Sequence, residues 1–93
     1  MIVVTFMLEG TPKATLEIYQ SLKEISKKMK TLDGCIGAKV YKDPDDETIF
    51  FLVEEWRSQR HLDDHMKSDL FAALIGVKGL LVREPEIKFM NEY

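Results

Sequence analysis

One cysteine, Cys35, is all that 93 residues contain. An internal disulfide is therefore excluded, and a chain without a disulfide framework is expected in a reducing compartment, here the cytoplasm. Charge of one sign is also in short supply: 13 Lys and Arg against 16 Asp and Glu leave a formal net charge of −3. That balance lacks the basic excess a nucleic-acid binder uses to neutralise phosphates, so no nucleic-acid partner is expected. No hydrophobic run is long enough for a membrane span. Met1 to Leu8 is apolar but has no basic start and is closed by Glu9, Gly10 and Pro12, so neither a signal-peptide core nor a membrane anchor is expected. No glycine-rich phosphate motif and no spaced Cys/His metal set is present.

What is present is a folded globular composition, with 45% hydrophobic and 31% charged residues spread along the chain. A chain of this length is expected to form a single domain over residues 1–93 and, alone, to hide only about two-thirds of its surface. Ile2, Val4, Phe6 and Leu8 alternate with Val3, Thr5 and Met7, which predicts a first strand apolar on both faces. Thr11 and Pro12 read as the cap and first turn of a helix whose seam is Ile18, Leu22, Ile25, Met29 and Leu32, with Gly34 beyond its end. Cys35–Lys42 predicts a second strand, with Ile36, Ala38 and Val40 on one face and Lys39 and Tyr41 on the other. The acidic turn 43–47 joins it to a third strand, Thr48–Trp56, as a hairpin. That turn lacks the Gly and distal Glu of a calcium loop and reads as a solvated turn. Ser58 caps a second helix through Leu62, Met66, Leu70, Ala73 and Leu74, with Ser68 placed to restart it halfway; Ile87 to Met90 completes the set as strand four.

The order βαββαβ predicts an α+β, ferredoxin-like fold, an antiparallel sheet with two helices on one face. Helices cover only one face of such a sheet, whereas the first and third strands are apolar on both. A second copy packed face to face would bury the remainder and close a dimeric α+β barrel, so a homodimer is expected.

Beyond this pattern, the residues resemble the antibiotic biosynthesis monooxygenase family of the dimeric α+β barrel superfamily. Asp33-Gly34-Cys35-Ile36-Gly37 is similar to that family's entry to its second strand, and Phe50 to Trp56 to its third strand, ending in an acidic residue and a Trp. Leu62 to Phe71 resembles its helical signature, a His followed by Ser at i+3 and Phe at i+6, here His65, Ser68 and Phe71. Glu84-Pro85-Glu86-Ile87 suits its last strand. Two departures stand out: Leu70 occupies the place where many members have a second His, and Ala38 the place of a bulky residue. The haem-degrading branch resembles this chain less, since His65 stands where it has Trp and Ile75 where it has an iron-ligating His. The resemblance implies oxygenation of a small aromatic phenol or quinol without flavin, metal or haem, or else a non-catalytic ligand-binding or accessory dimer of the same fold.

Such chemistry needs an apolar cavity, a group that takes or orients the phenolic proton, and partners that hold the ring. His65 is the candidate base because an imidazole titrates near neutrality; its alternative reading is a structural His on the flank of the helical seam. Trp56, with its indole donor, and Phe51 are candidate substrate-binding residues or else packing residues. Tyr41 offers a phenolic hydrogen bond and Arg57 a permanent positive charge for a developing oxyanion, or both are surface groups. His61 lies a turn before His65, is expected to be exposed, and forms with it an i, i+4 pair that lacks a third metal ligand. Cys35 reads as a small buried hydrophobe.

Overall fold

The computed structural model describes residues 1–92. Strand β1 (Ile2–Glu9) leads through a 3-10 turn at Pro12–Ala14 into α1 (Thr15–Met29), and β2 (Cys35–Lys42) and β3 (Ile49–Trp56) follow as a hairpin. Next come α2 (Gln59–Met66), α3 (Asp69–Gly76), a 3-10 turn at Val77–Leu80 and β4 (Glu86–Asn91). The strands form one fully antiparallel sheet in the order β2-β3-β1-β4, the ferredoxin-like arrangement the element order requires. The second helix is two helices, because Ser68 restarts it. Its backbone is extended (φ −84°, ψ 161°) and its Oγ accepts from the Phe71 amide at 3.2 Å, so α3 begins with its own cap.

Strict alternation sets the two faces of the sheet. Ile2, Val4, Phe6 and Leu8 of β1 and Phe50, Leu52, Glu54 and Trp56 of β3 are buried beneath the helices. Against them pack Ile18, Leu22, Ile25 and Met29, the seam of α1, together with Leu62 and Leu74. Burying a side chain of this size stabilises the fold by roughly 1.5–3 kcal/mol. The opposite face carries Val3, Thr5 and Met7, then Ile49, Phe51, Val53 and Glu55, and no element of the described residues covers it.

Two local expectations are corrected. Thr11 makes no side-chain cap, and the chain runs through the 3-10 turn before α1 starts at Thr15; the ring of Pro12 supplies no amide, and the turn keeps Ala14 buried. In β2 an irregularity between Cys35 and Gly37 shifts the register, so Cys35 pairs with Trp56 while Ile36 is 51% exposed instead of sharing the core face with Ala38. The acidic turn is held by its own side chains: Asp43 Oδ1 accepts from the amides of Asp45 and Asp46, and Asp46 Oδ1 from the amide of Thr48.

Candidate functional site

Glu54 breaks the apolar pattern of β3. It sits in phase with Phe50, Leu52 and Trp56, and the alternation that buries those residues carries its carboxyl to 0% exposure under the helices. Its register partner on β2 is Ala38, whose single methyl group leaves room for it. One carboxyl oxygen, Oε1, accepts from Trp56 Nε1 at 2.9 Å. The same oxygen lies 3.6 Å from His65 Nε2, a separation too long for a hydrogen bond. Glu54 Oε2 and His65 Nε2 are both buried without a partner, an uncommon condition in folded proteins.

The helical signature explains how His65 is held. Ser68 Oγ donates to the His65 carbonyl and accepts from the Phe71 amide, and it lies 3.4 Å from His65 Nδ1. With its only hydrogen already given to a carbonyl, the hydroxyl can only accept from the ring. This network assigns the proton to Nδ1 and leaves Nε2 as a bare lone pair facing Glu54. The imidazole is stacked on Trp56, with ring centroids 4.6 Å apart at 23°, and Phe71 meets it edge-on at 5.6 Å and 86°. Ser at i+3 and Phe at i+6 are thus the clamp on the His.

Burial sets the charge state. Desolvation pushes the Glu54 carboxyl up to about 7, against the lowering effect of the Trp56 hydrogen bond. Desolvation pushes the His65 imidazole down from its ordinary value. Both shifts favour the neutral forms, carboxyl and imidazole, over an ion pair.

Two cavities meet at this pair. Glu54 lines a small enclosed void of about 30 Å³ with Val4, Phe6, Leu62, Met66 and Phe71, whose outer wall is Ile87 and Phe89 of β4. His65 and Trp56 line a second pocket of about 150 Å³ with Leu32, Asp33, His61, Asp64 and Ser68. Ile87 and Phe89 face the helices yet remain 39% and 55% exposed, because α2 and α3 stop short of β4. They form the rim of the enclosed void.

Of the residues singled out in the sequence, His65 and Trp56 are together here. Phe51 and Tyr41 are register partners on the opposite, open face of the sheet, and Arg57 is exposed beyond the end of β3; none of the three shares a cavity with His65. Strand parity separates them, since odd positions of β3 point away from the helices. His61 is not exposed as expected: its side chain is 14% exposed, with Nδ1 2.7 Å from Ser58 Oγ and Nε2 3.5 Å from Asp33 Oδ2. Among the described residues no three His, Cys, Asp or Glu side chains gather as a metal-ligand group. Ile75 lies on α3 and is 38% exposed. Glu54 was not among the sequence candidates; the signal was a carboxylate in phase with the core residues of a strand.

Fold and site together define a ferredoxin-like α+β protein with a buried acid–imidazole–indole cluster under its helices. Residues 1–76 match the family model of the antibiotic biosynthesis monooxygenases, and the chain belongs to that family. Solved structures agree on the fold. A conserved protein from Methanosarcina mazei Go1 is 26% identical with a TM-score of 0.92, covering 99% of this chain and 92% of its own. A candidate antibiotic biosynthesis monooxygenase from Deinococcus radiodurans is 20% identical with a TM-score of 0.91, covering 100% and 93%. A structure described as an antibiotic biosynthesis monooxygenase is 19% identical with a TM-score of 0.90, covering 100% and 99%. No curated protein matches the sequence.

Proposed function

We propose that the protein is a cofactor-independent monooxygenase of a small aromatic phenol or quinol, working as a cytoplasmic homodimer. The observation that carries this reading is the unpartnered Glu54–His65 pair, backed by Trp56, of which Glu54 reaches the wall of an otherwise apolar void. A phenol gives up its proton to such a pair, and the phenolate left in an apolar surround is electron-rich enough to reduce dioxygen directly. In the simplest stoichiometry a phenol and dioxygen give a quinone and water: one oxygen atom joins a ring carbon and the other leaves as water. Trp56 stacks on the imidazole and Phe71 meets it edge-on, which holds the ring in place.

The void of about 30 Å³ holds roughly one water, whereas a cavity that takes up benzene measures about 150 Å³. Ring entry in this reading therefore displaces the rim residues Met66, Ile87 and Phe89, the exposed members of the lining. The tightness of the void favours one second reading, a non-catalytic accessory dimer of the same fold. Oxygen uptake with a panel of naphthols, anthrones and quinols separates them: uptake that requires both protein and substrate supports the enzyme, and binding without uptake supports the accessory protein.

The homodimer rests on the uncovered sheet face, where Val3, Met7, Ile49, Phe51 and Val53 are only half-buried. A second copy over this face excludes water from that apolar surface. The free thiol of Cys35 accords with a reducing compartment, and no helix of the described residues is long and apolar enough to cross a membrane.

A further inference from the structure

The two cavities flanking the buried pair are different in kind. The one Glu54 lines is apolar and enclosed; the one His65 lines is five times larger and bordered by Asp33, His61, Asp64 and Ser68. Glu54 does not line the larger pocket, and His65 does not line the smaller. The acid and the imidazole thus form a partition, joined across 3.6 Å between Oε1 and Nε2. Glu54 Oε2 is buried without a partner, and on the far side of the imidazole Nδ1–H is directed to Ser68.

Building on the monooxygenase reading, we infer that Glu54, not His65, takes the proton from the substrate, and that His65 passes it out to the larger pocket. In the first step the phenolic O–H bond breaks, its electron pair stays on the substrate oxygen and its proton forms an O–H bond at Glu54 Oε2. In the second step the carboxyl turns about its Cγ–Cδ bond, the Oε2–H bond breaks and its proton forms an N–H bond at the bare Nε2, while the Nδ1–H bond breaks and its proton passes to water in the outer pocket. The carboxylate is regenerated and the imidazole ends neutral, in the other tautomer. Glu54 is the catalytic residue here, because it alone of the pair borders the apolar void; His65 acts through it as a relay.

The surroundings leave Glu54 little electrostatic competition. From β1 and β4 it is faced by Val4, Phe6, Ile87 and Phe89, and from the helices by Leu62, Met66 and Phe71. The titratable groups nearby are the Cys35 thiol on β2, which Glu54 itself helps to push up, and His65 on α2; Asp64, His61 and Asp33 lie beyond the imidazole in the outer pocket. Glu55, Glu86 and Lys88 belong to the other face of the sheet. A carboxyl held near neutrality by burial is ionised often enough to accept a proton and basic enough to keep it.

The test uses Glu54→Gln, an isostere whose carbonyl still accepts from Trp56, and His65→Ala, with 1-naphthol and anthrone as probes. Infrared titration of the whole protein in heavy water should show one protonated-carboxyl C=O band that fades as pH rises through about 7 and is missing in Glu54→Gln. Glu54→Gln should lower kcat on an oxidised probe by about 10² or more with KM little changed. His65→Ala should lose about 10-fold or more, and added imidazole, entering by the outer pocket, should restore most of it. The inference is overturned if the band is absent, if Glu54→Gln keeps turnover within about threefold of wild type, or if imidazole rescues nothing. If wild type oxidises neither probe while the band titrates as stated, the monooxygenase reading fails and the acid–imidazole proton pair stands.

Discussion

Replacing Glu54 by Gln should change how stability depends on pH, and the sign follows from the direction of the shift. The carboxyl is raised from 4.5 to about 7 by burial in the native protein. Between those values the native state holds a proton that the unfolded chain has released. Stability from this group is therefore complete below pH 4.5, falls as pH rises, and is gone above about 7. The full loss is about 3–4 kcal/mol, since raising the carboxyl from 4.5 to about 7 is worth roughly 1.4 kcal/mol for each tenfold change in proton affinity. His65 runs in the opposite sense, since its pKa is lowered by burial and its contribution is lost as pH falls. It is present in both proteins, so the difference between wild type and variant reports chiefly on Glu54. Gln carries no charge at any pH and keeps the acceptor for Trp56 Nε1. Urea denaturation at pH 5 and pH 8, at fixed protein concentration, should show the variant improving relative to wild type by about 2–3 kcal/mol at the higher pH. A difference between the two proteins that stays constant within about 0.5 kcal/mol from pH 5 to 8 refutes a buried carboxyl with a raised pKa.

Trp56→Phe removes the donor to Glu54 Oε1. It should cost about 1–3 kcal/mol and move the carboxyl midpoint further up, since that hydrogen bond lowers it; an unchanged infrared midpoint contradicts the assignment. Gly34→Ala should destabilise by about 2 kcal/mol or more in thermal melts. Gly34 has a φ of +81°, and an added Cβ would run into the His61 ring; a melting temperature equal to wild type would show that this loop yields freely. Light scattering at micromolar concentration should give twice the 10.8 kDa chain mass, and a stable monomer would leave the open sheet face to water and sink the barrel.

Much of the fold could be read from residue periodicity. The i, i+4, i+7, i+11 seam of α1, the alternation of β1 and the cap at Ser68 are local patterns whose energetics are decided within a few residues, and all three appear in the structure. Features that depend on contacts between distant segments were harder to see. The register shift that turns Ile36 outward follows from how β2 meets β3. His61 is half-buried because Asp33 and Gly34, far from it in sequence, fold against it. His65 and Trp56 were read from their chemistry, and the structure brings them together. Phe51 and Tyr41 went to the other face by strand parity, which was available in the sequence. Glu54 was equally available: a carboxylate two residues from Leu52 and two from Trp56 must be buried with them if the strand is regular.

The most direct measurement is oxygen transfer itself. Protein freed of metals by chelation would be incubated with isotopically labelled dioxygen and each naphthol, anthrone and quinol of the panel, and the products weighed by mass spectrometry. A monooxygenase working through its own residues gives a quinone carrying one labelled oxygen atom, with Glu54→Gln forming it about 10²-fold more slowly. Products without label, or labelled product at the rate of the protein-free control, would contradict the account.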